Sequence, residues 1–436
     1  MYRLNPPAVY AHQSVLDDPR HKARLDRVLA ALQRPVSAIP YKDEDLPAMI
    51  KDRGLLAGRV PMGSLAEIPD PILLFNTFRY DGRRKERMEW LKEQAGAICG
   101  YHLHEALVGY GGFVWFPACL PEDEHRNDKV CRPCWRLHFQ NGCVHKCHYC
   151  NLGGLLATMV NVEDYVARLS RLIDAHPWQE TYLFEDDADV LCLEPELGCV
   201  GPLIEYFGTL KGRYLILHTK SWNVDWMLDL KHNGNTIIVW SIAGPTQSRV
   251  LEPVTGDTEQ RLDAARKCQQ AGYVIRYKFK PIIPMRDWRE DAAQTVRMLF
   301  EKTKPDVISL CCFMWMDVED MKRRLDVSLL DPECLAAADG AVQEVKDTRS
   351  KPFPADVRAE IYEHHLREIR KYDGDVPVSL STENWDMWKR MSPKLGSTAL
   401  NYVCGCGPNS TPWRRRLQAH PFQIAKKCPV EKFELL

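Results

Sequence analysis

Three cysteines, Cys143, Cys147 and Cys150, stand in the stretch Asn141-Gly-Cys-Val-His-Lys-Cys-His-Tyr-Cys150 at the spacing C-x3-C-x2-C. Three thiolates on one short loop can each hold one iron of a cubane cluster, which leaves the fourth iron without a protein ligand and open to a reacting molecule. Clusters that only transfer electrons usually take four cysteines, so a set of three points to catalysis. Two other readings of the same residues stand beside this one. A zinc ion would need a fourth ligand, which Cys131, Cys134, His145 or His148 could supply. In a chain with sixteen cysteines the spacing could also be coincidence.

Such a loop needs a scaffold that presents it. Short β-branched, apolar or aromatic runs at Arg136–Gln140, Thr181–Glu185, Tyr214–Thr219, Thr236–Ile242, Tyr273–Ile283 and Val307–Phe313 predict six strands. Between them, helical periodicity covers Val162–Asp174, Val200–Leu210, Val224–Lys231, Thr258–Gln270 and Asp291–Lys302. Strand–helix alternation demands a parallel sheet, because each crossover returns the chain to the same end. With a strand every ~25–40 residues, the expected fold is α/β, an open or partial (β/α)6 barrel. Ligands then belong at the carboxyl ends of the strands, and the cysteine loop directly follows the first of them.

This core is expected over residues 135–314, between an N-terminal mixed extension (1–134) and a C-terminal extension (315–436) that caps the barrel or extends its sheet. The first extension opens with a helix, His21–Leu32; the last carries helices Asp317–Arg324 and Ala355–Lys371 and a short strand, Val376–Leu380. A formal net charge of −1 argues against a protein that holds long duplex DNA by charge alone, so any nucleic-acid grip would be a local groove. No apolar run is long enough for a bilayer, and no secretory leader is visible. The expected compartment is the cytoplasm, where cysteines serve metals or catalysis rather than disulfides. Cys99, Cys192, Cys199 and Cys268 read as packing residues, and Arg83–Arg87 as a solvated helix face.

The triplet and the aromatic Tyr149 before its last cysteine resemble the signature of the radical S-adenosylmethionine superfamily. The resemblance implies a 4Fe–4S cluster on Cys143, Cys147 and Cys150. It also implies bound S-adenosylmethionine with Tyr149 near its adenine, and an electron donor such as flavodoxin or ferredoxin. A closer similarity, to the spore photoproduct lyase family, runs from Tyr182 to Pro284. It is carried by Phe184-Glu185, Leu217-His-Thr-Lys-Ser221, Val224-Asp225, Lys231-His-Asn-Gly234, Val239-Trp-Ser-Ile242, Leu251-Glu-Pro253, Arg261-Leu-Asp-Ala-Ala265 and Ala271-Gly-Tyr273, with weaker similarity at Val9–Leu32. That family reverses a thymine–thymine lesion in DNA. The likeness implies that Lys220 and Ser241, and more weakly Glu185, contact the cofactor's carboxylate or ribose.

Two departures matter. The lyases place a tyrosine after the third cluster cysteine, where this chain has Asn151. They also carry a cysteine shortly after Phe-Glu, where this chain has Asp186-Asp-Ala-Asp189. Both parts of the lyases' hydrogen-return relay are therefore missing. The product radical must be quenched otherwise, by hydrogen coming back from 5′-deoxyadenosine or from Cys311 or Cys312 at the end of the sixth strand. Asp186 and Asp187 could bind a substrate amine or act as general base, or form a solvated loop. The expected function is a radical enzyme, isomerase or lyase in type, acting on a nucleobase, a modified thymine in DNA. The alternatives are a radical enzyme with a small-molecule substrate and a non-catalytic zinc or iron–sulfur protein.

Cys131-x2-Cys134 and Cys404-x-Cys406 could together hold a second metal site, or remain reduced thiols in a packed loop. Trp413-Arg-Arg-Arg416 and Lys322-Arg-Arg324 could grip phosphates and an unstacked base, or be surface charge.

Overall fold

The computed structural model describes residues 1–58, 69–96, 98, 102–118, 130–345 and 351–418, so Cys99 lies outside the described residues. Its strands, in chain order, are β1 (Val9–His12), β2 (Ile39–Tyr41), β3 (Ile72–Asn76), β4 (Phe113–Phe116), β5 (Cys134–Leu137), β6 (Gln140–Asn141) and β7 (Leu155–Met159). They continue with β8 (Thr181–Phe184), β9 (Tyr214–Thr219), β10 (Thr236–Ile242), β11 (Val274–Ile282), β12 (Ile308–Cys312) and β13 (Val378–Leu380).

Eight of them form one sheet in the order β13-β12-β11-β10-β9-β8-β5-β4, parallel throughout except for the antiparallel edge pair β4–β5. This is the open partial barrel expected, carrying the six expected strands, with β13 extending it at one edge and β4 at the other. The period-2 alternation divides each strand between two faces. Leu183, Ile216, Ile237, Val239 and Val274 make a small apolar cluster on the inner face, while Leu217, Ile238 and Trp240 join the main core beneath the helices.

A second sheet, β2-β1-β3-β7-β6, draws strands from the N-terminal region and from both sides of the cysteine loop. The sequence reading lacked it. The run expected as one strand, Arg136–Gln140, breaks after Leu137, and its last residue pairs in this second sheet as β6. The loop thus hangs between two neighbouring strands of the second sheet, its entry one short step from the end of β5 in the first.

The helices at Val162–Ala175, Val200–Thr209, Thr258–Gln270 and Trp288–Lys302 agree with the periodicity. The expected helix Val224–Lys231 is only a 3-10 turn, Asp225–Met227. Its backbone is claimed elsewhere: the Tyr273 hydroxyl donates to the Met227 carbonyl, and Trp226 Nε1 to the Asn223 carbonyl. No described helix is long and apolar enough to cross a membrane.

Candidate active site

The cysteine loop is set at its start by Gly142. Its φ is +108°, and a Cβ there would fall 1.8 Å from the Leu155 carbonyl oxygen, so only glycine fits. Its N–H donates to the Asp187 carbonyl at 3.0 Å, tying the loop to the end of β8, and the Cys143 N–H donates to the Leu152 carbonyl at 2.8 Å. Gly142→Ala is expected to cost at least ~2–3 kcal/mol and to lower iron uptake, checked by thermal unfolding and by iron content after reconstitution.

Cys147 is buried, and Cys143 and Cys150 are half-buried; none is in a disulfide. Among the described residues, the groups of three or more ligand atoms lying within 4.8 Å of one another are His145–Asp189–Cys192 and His138–Asp186–Asp187. The three loop thiols make no such group, with or without His145 or His148, so the loop is not arranged around a single zinc ion. His145 instead faces Cys192, whose Sγ lies 3.3 Å from its Nε2, and the Tyr2 hydroxyl. Cys192 is therefore more than packing, because it holds the middle of the loop. Cys199 and Cys268 are buried as expected.

Beside the loop lies a buried polar quartet. The Tyr149 hydroxyl donates to Glu252, and Lys220 Nζ reaches the Tyr149 oxygen at 2.7 Å and Glu252 Oε1 at 2.9 Å. Arg261 closes the quartet on Glu252 Oε2 and also donates to the Ser241 carbonyl at 3.0 Å. Burial favours the neutral acid at Glu252, but the charges of Arg261 and Lys220 outweigh it and hold the carboxyl down at about 2. Tyr149, Lys220 and Ser241 thus meet at the ends of β9 and β10, next to the loop. The pairing of Glu252 with Arg261 arises from a contact that no sequence period announces.

Glu185 has a different setting from its expected one. It sits at φ +65°, fully buried, and its Oε1 accepts from the N–H groups of Phe139 and Gln140, which lead into the loop. Its Oε2 has no hydrogen-bond partner and lies 3.4 Å from His138 Nδ1. Asp186 pairs with Arg136 and faces His138 Nε2 at 3.7 Å. Burial opposes charge on His138, but the nearby charges of Glu185, Asp186 and Asp187 lift it to about 9. Asp187 is 8 % exposed with Oδ2 unpartnered; burial and the Asp186 charge push its carboxyl up to about 7.

Facing this rim, Cys311 lies on the inner face with Lys280, while Cys312 turns to the helical layer beside Arg358. Lys280 Nζ stands 4.8 Å over the ring of Trp315, a 38 % exposed residue at φ +76°. The arrangement can bind a carboxylate at Lys220, stack a flat ring at Trp315 and move a proton at Asp187. Trp413–Arg416 is elsewhere. Trp413 N donates to Asp306 and Arg414 pairs with Glu180, both at the amino ends of the strands, so this tail is remote from the loop. Arg83 and Lys85 pair along an exposed helix face as expected, whereas Arg84 and Arg87 turn inward to the buried carboxylates of Glu105 and Asp43.

The donor set tests whether the implied cofactors fit. Three thiols share one loop, an ammonium and a phenol meet beside it, and three buried oxygens, Glu185 Oε2, Asp187 Oδ2 and Gln140 Oε1, have no hydrogen-bond partner. These residues fit a three-cysteine cluster and an amino-acid-bearing ligand.

Residues 132–317 match the family model described as spore photoproduct lyase. The chain is 30% identical over 175 residues to the spore photoproduct lyase of Bacillus subtilis (strain 168), covering 38% of this chain and 50% of that protein. It is 31% identical over 164 residues to that of Geobacillus sp. (strain Y412MC61), covering 36% and 48%. The match thus spans about half the length of these curated relatives. Among solved structures, a spore photoproduct lyase mutant with bound AdoMet and dinucleoside spore photoproduct superposes with a TM-score of 0.59 at 17% identity, over 87% of this chain and 99% of that one. A spore photoproduct lyase complexed with dinucleoside spore photoproduct gives 0.56 at 16%, with the same coverage. At these identities the structural likeness is one of fold.

Proposed function

We propose that this chain, whose residues 132–317 match the spore photoproduct lyase family model, is a radical S-adenosylmethionine enzyme that abstracts hydrogen from a nucleobase and rearranges it, an isomerase rather than a lesion-reversing lyase. Cys143, Cys147 and Cys150 would hold the 4Fe–4S cluster, and Tyr149, Lys220 and Ser241 the S-adenosylmethionine. Bound together, the two supply a 5′-deoxyadenosyl radical after one electron arrives from a flavodoxin- or ferredoxin-type donor. Glu185 fixes the backbone entering the loop, and so serves the cofactor site as a positioning residue. The core 135–314 with its two extensions would act as a cytoplasmic enzyme.

The observation that carries the isomerase reading is the buried, unpartnered Asp187 carboxyl. It lies at the strand end where the lyases have their hydrogen-donating thiol. A carboxyl poised near neutrality can take or give a proton but cannot return a hydrogen atom, so the abstracted hydrogen would come back from 5′-deoxyadenosine, with the Cys311 thiol on the same inner face as the competing donor. Trp315 over Lys280 favours a flat, hydrogen-bonding substrate, because every base offers a face to stack on. The substrate class is a modified thymine, in DNA or as a nucleotide. A base in duplex would have to be flipped out to reach this rim.

The test is an anaerobic assay with dithionite, S-adenosylmethionine and DNA carrying 5-substituted thymines deuterated at the substituent. Deuterium that enters 5′-deoxyadenosine and returns to product supports an isomerase; unlabelled 5′-deoxyadenosine with every DNA refutes the nucleobase reading. The turnover rate should also break near pH 7, and Asp187→Asn should remove that break. The sign for stability follows from the raised value: the folded state keeps the Asp187 proton to about 7 while the unfolded chain loses it near 3.8, so this group's contribution falls as pH rises between them. Asp187→Asn should accordingly flatten the stability profile over that window.

A further inference from the structure

A second set of thiols converges far from the cysteine loop in sequence. Cys131 and Cys134 lead into β5, and Cys404-Gly-Cys406 lies against the inner face of the sheet. There the Gly405 N–H donates to Ser309 Oγ at 3.2 Å, and a Cβ on Gly405 would meet Val239 at 3.4 Å. Arg276, wholly buried on β11, pins this segment by donating to the carbonyls of Cys404, Gly405 and Ser410. Gly407 leaves room for the Cys404 sulfur, which a Cβ there would approach to 2.5 Å. The two segments meet here: a Cβ on Gly407 would also lie 3.9 Å from Arg132, between Cys131 and Cys134, and the Tyr402 hydroxyl donates to the Val130 carbonyl at 3.3 Å.

The charges around these thiols are uncompensated. Arg132 is 6 % exposed, and none of its three guanidinium nitrogens has a hydrogen-bond partner. It stacks 4.0 Å over the Tyr402 ring, beside Cys404. Lys278, 3 % exposed, donates to Cys406 Sγ at 3.3 Å. Burying a guanidinium with no anion costs several kcal/mol, and four neutral thiols would not offset it. Four thiolates on a metal centre would, since they leave net negative charge where the cations converge.

Spacing selects the kind of centre. A zinc ion with bonds of about 2.3 Å draws its sulfurs to ~3.8 Å from one another. No three of these thiols lie within 4.8 Å of one another, which is also true of Cys143, Cys147 and Cys150. A multi-iron cluster does not need its thiolates gathered that closely.

We propose that Cys131, Cys134, Cys404 and Cys406 bind a second iron–sulfur cluster on the inner face of the barrel. Its contact with Lys278 sets it about 7 Å, two residues of β11, below Lys280 and the substrate rim. The proposal is independent of the reaction assigned to the first cluster.

Iron and sulfide are counted per chain after anaerobic reconstitution, and the reduced protein is followed by EPR. The parent should exceed the roughly four irons of one cubane and show two signals, one altered by S-adenosylmethionine and one indifferent to it. The Cys143→Ala/Cys147→Ala/Cys150→Ala variant should keep about two or four irons and the indifferent signal. Cys404→Ser/Cys406→Ser should keep only the responsive one. If either variant fails to fold, the parent's count and its two signals decide. A parent with about four irons, all lost in the triple variant, overturns the proposal while leaving the radical reading intact. Zinc in place of iron at the second set overturns it as well. Iron surviving in the triple variant of a protein that never cleaves S-adenosylmethionine upholds it and refutes the radical reading.

Discussion

Cys147→Ala is expected to take 5′-deoxyadenosine formation below detection while the protein still folds. Cys147 is the buried middle member of the triplet, and in the apo state burial raises its thiol to about 12, so it stays protonated until iron claims it. Its removal leaves two thiols for a cubane that needs three, so the defect lies in cluster retention and shows as lost iron absorbance as well as lost turnover. Lys220→Met provides the contrast. It removes an ammonium beside the loop and no iron ligand, so it should keep iron and lose roughly 10–100-fold in S-adenosylmethionine affinity or turnover. Equal iron loss in both variants would mean that Lys220 serves the fold rather than the cofactor. The comparison separates holding the cluster from holding what binds to it.

Glu252→Gln is expected to produce the largest loss of stability, about 3–5 kcal/mol in chemical denaturation, because it leaves Lys220 and a wholly buried Arg261 without their shared counter-charge. The same pairing gives a pH signature. With the folded carboxyl at about 2 and a usual value of 4.5, its contribution is complete above 4.5 and is lost as pH falls toward 2. Acid unfolding of the parent should therefore steepen in that window, and the variant should lack the step. A Glu252→Gln protein as stable as the parent would show that the quartet tolerates an amide and that the pairing carries little of the stability.

Much of the core was legible because its signals are local. The helix Thr258–Gln270 was found to the residue: Asp257 and Gln260 form a capping box at one end, and Ala271-Gly272 ends it at the other. The strands on either side are β-branched runs that a buried parallel sheet requires. The second sheet was hidden because its strands carry no such mark. β7, Leu-Leu-Ala-Thr-Met, is built mainly of good helix formers and is a strand only because β3 and β6 flank it. The site divided in the same way. The three loop cysteines announce themselves by spacing, and Tyr149 by its place before the last of them. Glu252, Arg261, His138 and Arg132 have no period and no motif. Each gains its meaning from a partner that only the folded chain brings near.

The tail that pins itself across the inner face has a consequence for biogenesis. Arg276, Ser309 and Thr181 lie on strands made well before Cys404–Ser410, yet their bonds to that segment form only when it arrives. A chain emerging from the ribosome must therefore carry an unfilled barrel, with cysteines and buried cations exposed, until residues near 410 are out. Its strands can pair early, but its interior closes last. Iron delivered before that point would meet an incomplete second site, so the maturation machinery is expected to act on the released chain rather than on the nascent one.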